Sequence, residues 1–138
     1  MKTHSQSRKE TMCRKKSLLN PKHSVRIATL NVQTLNDTAK GVKLAREMDR
    51  YDIDVLGVAE CRYTGSDRMR IEDKEVIYSG REDRRHYQGV ALFCSKTATK
   101  CLTSWEPINK RILVANFRSR SAKLSIMMAY APTETSDG

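Results

Sequence analysis

Three residues of this 138-residue chain stand where an apolar strand gives way to polar chemistry: Asn31, Glu60 and Tyr130. Glu60 follows the run DVLGVA at 54–59. A continuous apolar stretch of this kind is typical of a strand buried on both faces. Open α/β sheets place ligand and catalytic groups at the carboxyl ends of their strands. A carboxylate there is a hard anionic ligand suited to Mg²⁺ or Mn²⁺. Asn31 stands at the equivalent end of an earlier run, VRIATLNV at 25–32. If the two strands are parallel neighbours, Asn31 and Glu60 meet at one edge. An amide beside a metal-binding carboxylate orients it or holds a phosphate oxygen. Tyr130 closes KLSIMMAY at 123–130, just before Ala131-Pro132, which puts its hydroxyl within reach of the same rim. Each residue also fits an ordinary role. Glu60 can open a solvated loop with Arg62 as a surface partner, Asn31 can terminate a strand as a turn residue, and Tyr130 can keep its ring in the core and its hydroxyl at the edge.

The elements that must position these residues alternate in type. The pattern predicts a strand over 25–32 and a helix over 37–51, capped by Asn36 or Asp37, with Val42, Leu44, Ala45, Met48 and Tyr51 at helical spacing. A buried strand follows at 54–59, and residues 63–74 are polar and read as a loop. Strands are predicted at 75–79 and 89–95 around a highly charged connection, then at 111–117 and 123–130 around a turn at 118–122. One strand–helix–strand unit followed by consecutive strands implies packed sheets with helices outside, rather than a doubly wound sheet. Only one convincing helix is visible, so the apolar strands have more surface than this pattern covers.

Charge is concentrated at one end. The chain carries 26 Lys+Arg against 16 Asp+Glu, a formal net charge of +10. Residues 1–26 hold eight of the basic residues and one acid, Glu10. Residues 1–24 therefore read as a disordered basic arm, too poor in apolar surface to offset its ordering entropy. Such an arm favours polyanions by counterion release. Arg84, Arg85, Lys110 and Arg111 add candidate nucleic-acid contacts within the folded part. No run of 18 apolar residues is present and no apolar segment follows the basic start, so a membrane span and a secretory signal are not expected. Localisation is expected to be nuclear or cytoplasmic. The four cysteines form no C-x-x-C pair and read as free thiols, and the three histidines are scattered. No dinucleotide, P-loop, zinc-protease or nucleophile-elbow motif occurs.

Five segments occur in a telling order: TLNV at 29–32, VAECR at 58–62, GVALF at 89–93, KRILVA at 110–115 and AYAP at 129–132. Together they resemble the endonuclease/exonuclease/phosphatase family in its apurinic-endonuclease-like branch. The wording is most similar to endonuclease domains of RTE-type retrotransposons that lack long terminal repeats. The resemblance spans about residues 25–135. It implies an α/β (α+β) fold, a four-layer sandwich of two packed mixed sheets flanked by helices. It implies that Glu60 binds a divalent metal, that Asn31 lies at the metal–phosphate site, that Tyr130 contacts the scissile phosphate and that Arg62 supports the site. Mg²⁺ or Mn²⁺ is the implied cofactor and DNA the implied partner. The chain departs from the family pattern at Gln33, Ala59 and Thr133, where an acid, Gln and Asn are common. The family's downstream Gly-Asp-x-Asn and Ser-Asp-His motifs do not occur in these 138 residues.

The resulting expectation is the N-terminal half, residues 25–138, of a metal-dependent DNA endonuclease, with little turnover alone and a monomeric or aggregation-prone state. The alternatives are a non-catalytic basic nucleic-acid binder, a non-functional mobile-element relic, or a phosphoinositide or sphingomyelin phosphodiesterase fragment. The basic charge argues against the last.

Overall fold

A computed structural model describes residues 24–35, 38–61, 65–80 and 89–131. The predicted basic arm, and Arg62, Arg84 and Arg85, lie outside the described residues. The elements in chain order are β1 (Ile27–Leu35), α1 (Thr38–Arg50), β2 (Val55–Cys61), β3 (Ser66–Ile71), β4 (Lys74–Ser79), β5 (Gly89–Cys94), α2 (Lys96–Cys101), β6 (Leu102–Asn109), β7 (Ile112–Arg118) and β8 (Lys123–Ala129). They build an α+β fold of two packed sheets. The larger sheet has the order β1-β2-β5-β4-β3 and the smaller β6-β7-β8.

The apolar run of β2, next to the central strand β5, is buried because both its faces are covered. Leu56 and Val58 join a buried cluster with Ala45 and Met48 of α1, Ala91 and Phe93 of β5, and Val76 of β4. Val55 and Ala59 join the cluster between the sheets, with Val90 and Leu92 of β5 and Leu113, Ala115, Phe117 and Met128 of the smaller sheet. Gly57 lies on this second face: a Cβ there would stand 2.6 Å from Met128 Sδ. The missing side chain makes room for the thioether of Met128 from β8.

β1 and β2 are parallel, with α1 as the crossover. Burial of Ala45 and Met48, flanked by half-buried Val42 and Leu44, gives α1 its apolar stripe. The helix ends in a Schellman arrangement: Ile53 N donates to Met48 O (2.8 Å) and Asp52 N to Asp49 O (3.3 Å). Asp52 takes the left-handed conformation, φ 56°, that glycine fills more often. Tyr51, placed in the helix by its spacing, instead falls just beyond it and is exposed.

Two expectations of local structure are corrected. The stretch 63–74, read as a polar loop, contains β3, which pairs antiparallel with β4 from Ser66↔Ser79 to Ile71↔Lys74. β3 is an edge strand with charged outward residues, and its apolar alternation is confined to Met69 and Ile71, too short to stand out from a polar stretch. Lys74, at the start of β4, is 2% exposed. Its Nζ donates to Asp49 Oδ1 of α1 (2.6 Å) and to Asp73 Oδ1 (2.7 Å), so a buried cation ties the helix to the hairpin. The stretch 96–109, unassigned from sequence, forms α2 and β6. Ser95 caps α2 by accepting from Ala98 N (3.0 Å). Buried Ala98 and Cys101 close one end of the inter-sheet cluster.

Among the described residues no helix lies on the outer face of β6-β7-β8. That face carries an exposed polar ladder instead: Ser125 Oγ donates to Asn116 Oδ1 (2.7 Å) and Asn116 Nδ2 to Ser104 Oγ (3.0 Å). No described helix is long and apolar enough to cross a membrane.

Candidate functional site

The parallel register decides the first pair of candidates. Asn31 lies opposite Ala59, so the backbone of Glu60 follows one position beyond Asn31's partner; Glu60 is next to last in β2, but β1 runs on to Leu35, so Asn31 sits in mid-strand and not at the strand end expected from sequence. Both strands are irregular here. The β1–β2 register shifts between Asn31 and Leu35, and the β2–β5 register shifts between Ala59 and Cys61. Bulges at strand ends re-aim side chains and are frequent next to functional sites. Asn31 is exposed. Glu60 belongs to β2 by its backbone, and its side chain lies outside the described parts.

A chain of pairings carries this rim across to the other sheet. Ala59 is opposite Val90, and Val90 is opposite Ser79. Buried Ser79 donates from Oγ to the carbonyl of Asn109 at 2.6 Å. Asn109 opens the turn between β6 and β7, and its Oδ1 accepts from Arg111 N at 2.7 Å, which fixes the turn. Beyond the turn, Ile112 pairs with Ala129 of β8. The next residue is Tyr130, whose N donates to Arg111 O at 3.0 Å. Asn31, Glu60, Lys110, Arg111 and Tyr130 are therefore brought to one end of the sandwich by backbone pairing and a single side-chain stitch.

At this end lies a cavity of about 600 Å³, lined by residues 109–112 and 129–131. Its lining includes Lys110 and Arg111 and, among the described residues, no Asp or Glu. Tyr130 is half-buried and packs against the inter-sheet cluster. Arg111 is also half-buried, and its Nε is buried without a hydrogen-bond partner among the described residues. A buried donor left unpaired costs about 1–3 kcal/mol, and more when it is charged. Among the described residues, no group of three or more His, Cys, Asp or Glu comes together as a metal cage.

Two features of this rim escaped the sequence. Ser79 carried no signal, because a serine ending an apolar strand is unremarkable until its partner is known. Asn109 left a faint one: Asn-Lys between two apolar stretches is a turn signature. Elsewhere the polar groups serve packing. Glu75 is buried and paired with Arg68 and Arg70. Cys61, Cys94 and Cys101 are buried and take part in no disulfide among the described residues. Burial, together with the charge of nearby Glu75, pushes the Cys94 thiol up to about 12, which leaves it unreactive at neutral pH.

No family model matches the chain. Curated relatives do. Craniofacial development protein 2 from Bos taurus is 31% identical over 107 residues, covering 78% of this chain and 18% of that protein. The protein of the same name from Tragulus javanicus matches equally, at 31% over 107 residues. The chain thus spans 18% of the length of the curated relatives it matches and is distantly homologous to part of them.

Proposed function

We propose that the chain is part of a divalent-metal-dependent DNA endonuclease of the endonuclease/exonuclease/phosphatase type, related to retrotransposon endonuclease domains and working in the nucleus or cytoplasm. The supporting observation is the parallel register that sets Asn31 beside Glu60, on the rim that also holds Arg111 and Tyr130.

The donors suit Mg²⁺ or Mn²⁺. Glu60 supplies a carboxylate and Asn31 an amide oxygen, both hard. Mg²⁺ is usually held by one or two carboxylates and completes its shell with substrate phosphate and water. Glu60 and Asn31 would hold the cation, which when bound stabilises charge on phosphoryl oxygens as a Lewis acid. The chain's own residues do the remaining work. Arg111 and Lys110 attract and orient the phosphate backbone, and Tyr130 offers a hydroxyl donor at the end of β8. The 138 residues contain no Asp-x-Asn and no Asp-His to position and activate water, so these residues alone are expected to bind DNA and cation without appreciable turnover. Loss of a general acid or base by itself costs about 10²–10⁴-fold.

Cation uptake in the presence of DNA, measured by calorimetry with Mn²⁺, tests the reading directly. Uptake by the unaltered chain and its loss in Glu60→Ala are expected. Equal uptake by both would remove Glu60 from the site. A plasmid-nicking assay with Mg²⁺ accompanies it, and robust nicking abolished by Glu60→Ala would show that the missing motifs are dispensable.

The net charge of +10 and the presence of Lys110 and Arg111, with no Asp or Glu, among the described residues that line the cavity favour a second reading, a basic nucleic-acid binder without catalysis. Binding would then fall steeply with salt, need no cation and survive Glu60→Ala.

A further inference from the structure

We infer that the free edge of β8 is a docking slot for one extended polypeptide segment, which joins the smaller sheet as an added strand. The segment that fits carries alternating apolar residues and an acid at each end.

The register fixes which groups are on offer. Tyr130 N donates to Arg111 O and Ser119 N to Ala122 O, in the same antiparallel ladder that pairs Ile112 with Ala129 and Arg118 with Lys123. Leu124, Ile126 and Met128 therefore bond to β7, while Lys123, Ser125, Met127 and Ala129 turn their N–H and C=O groups the other way. Among the described residues no strand meets them there, because β8 ends the order β6-β7-β8. The remaining sheet edges are blunted. β3 carries Asp67, Arg68 and Arg70, β6 contains Pro107 and two register shifts, and β1 is irregular beyond Asn31. β8 pairs without a shift over its seven residues and holds a single charge, Lys123, at its start.

The space beside β8 fits one strand and not a second copy. Met128 of β8 lies under Gly57 of β2, and β1 is one strand further out. Ile27 of β1 is paired with Val55, a residue of the inter-sheet cluster, yet it is 49% exposed. β1 thus overhangs the free edge. A strand seated about 4.8 Å beyond β8 would lie beneath Ile27 and beside half-buried Leu124 and Ile126. A second copy paired antiparallel through β8 would drive its own β1 and β2 into that space. Lys123 stands at one end of the slot and Lys110 and Arg111 at the other, so acids on the incoming ends are favoured. A strand added in this way is held by main-chain hydrogen bonds and selected by its alternate side chains.

The probe is the capped peptide Asp-Val-Thr-Val-Thr-Val-Asp, matched to the length of β8 and titrated into the whole isotope-labelled chain. One peptide per chain is expected. Amide exchange should slow at Lys123, Ser125, Met127 and Ala129 and stay as it was at Leu124, Ile126 and Met128. Met127→Pro removes an outward N–H and no bond to β7; it should weaken binding by about tenfold or more and melt close to the parent. On the unaltered chain, a peptide with proline in place of its first threonine should lose binding to the same degree, which keeps the test sound if Met127→Pro folds poorly. Lys123→Glu should favour a peptide with lysine at its last position over the acidic one. The inference is overturned if the four outward amides exchange as slowly as their neighbours before peptide is added, if the proline peptide binds as well as its parent, or if the shifts fall outside β8 and β1. A dimer in sedimentation, with the outward amides of β8 protected, would assign the edge to a second copy and overturn it as well. None of these readouts involves DNA or a cation, so they stand or fall apart from the endonuclease reading.

Discussion

Removing the Ser79 hydroxyl should loosen the rim without dissolving the fold. In Ser79→Ala the donor to Asn109 O, now at 2.6 Å, disappears. A neutral hydrogen bond contributes about 0.5–1.5 kcal/mol net. Ser79 is 1% exposed whereas Asn109 is exposed. The orphaned carbonyl can therefore take up water, and the full penalty of an unsatisfied acceptor is not incurred. The long hydrogen bond from Ser66 Oγ to Ser79 Oγ, 3.4 Å, adds little. A loss of about 1 kcal/mol is expected, or about 3–5 °C in melting midpoint for a domain of this size. Urea unfolding at pH 7 measures the energy, and amide chemical shifts of residues 109–112 report whether the turn moves. Because this bond holds the turn that carries Lys110 and Arg111, affinity for a DNA duplex should weaken in step. A loss below about 0.5 kcal/mol, the scatter of ordinary surface substitutions, together with unchanged turn shifts, would refute the claim that this contact fastens the smaller sheet to the rim.

Three further outcomes follow from the packing. Gly57→Val should destabilise by about 1–3 kcal/mol, read by urea unfolding, because even a Cβ there meets Met128 Sδ at 2.6 Å; Gly57→Val combined with Met128→Ala should recover part of the loss. Stability should fall at both extremes of pH. The Lys74 hydrogen bond, opposed by a little burial, holds the Asp73 carboxyl below its ordinary 3.8. That contribution is present above 3.8 and is lost as pH falls through the lower folded value. For Lys74, burial disfavours the ammonium, but hydrogen bonds to Asp49 and Asp73 outweigh it and hold the group above 10.5. That contribution is present below 10.5 and is lost as pH rises through the higher folded value. Melting midpoints across pH should show both limbs, and Lys74→Met should flatten the alkaline one; an unchanged alkaline limb would contradict the assignment. Finally, mass spectrometry after alkylation at pH 8 should find Cys94 unmodified in the native chain and modified in denaturant, since its thiol is buried and pushed up to about 12.

The local chemistry of the chain was legible wherever one element decides it. The apolar run ending at Ala59 had to be a strand covered on both sides, and the structure covers it with α1 on one face and the smaller sheet on the other. The spacing of Val42, Ala45 and Met48 specified a helix and its buried stripe. The strand–helix–strand unit, followed by strands alone, pointed to packed sheets. β3 was hidden because its apolar alternation is only Met69 and Ile71 among charged residues, and β6 because its half-buried pattern includes Pro107 and polar outward residues. α2 is a single capped turn or two, too short for periodicity to register.

The residue types at the rim, an acid, an amide, a phenol and two cations, are written in the sequence, as is the positive charge that favours a polyanion. The placement of their backbones at one end of the sandwich is not. It depends on the parallel register of β1 with β2, on the Ser79–Asn109 stitch, and on the turn that buries Arg111 Nε without an acceptor. Sequence spacing specifies side chains within one element, because helix and strand periods are local. Proximity between elements is set by which backbones pair and which cores interlock, and that is decided only when the two sheets close on each other.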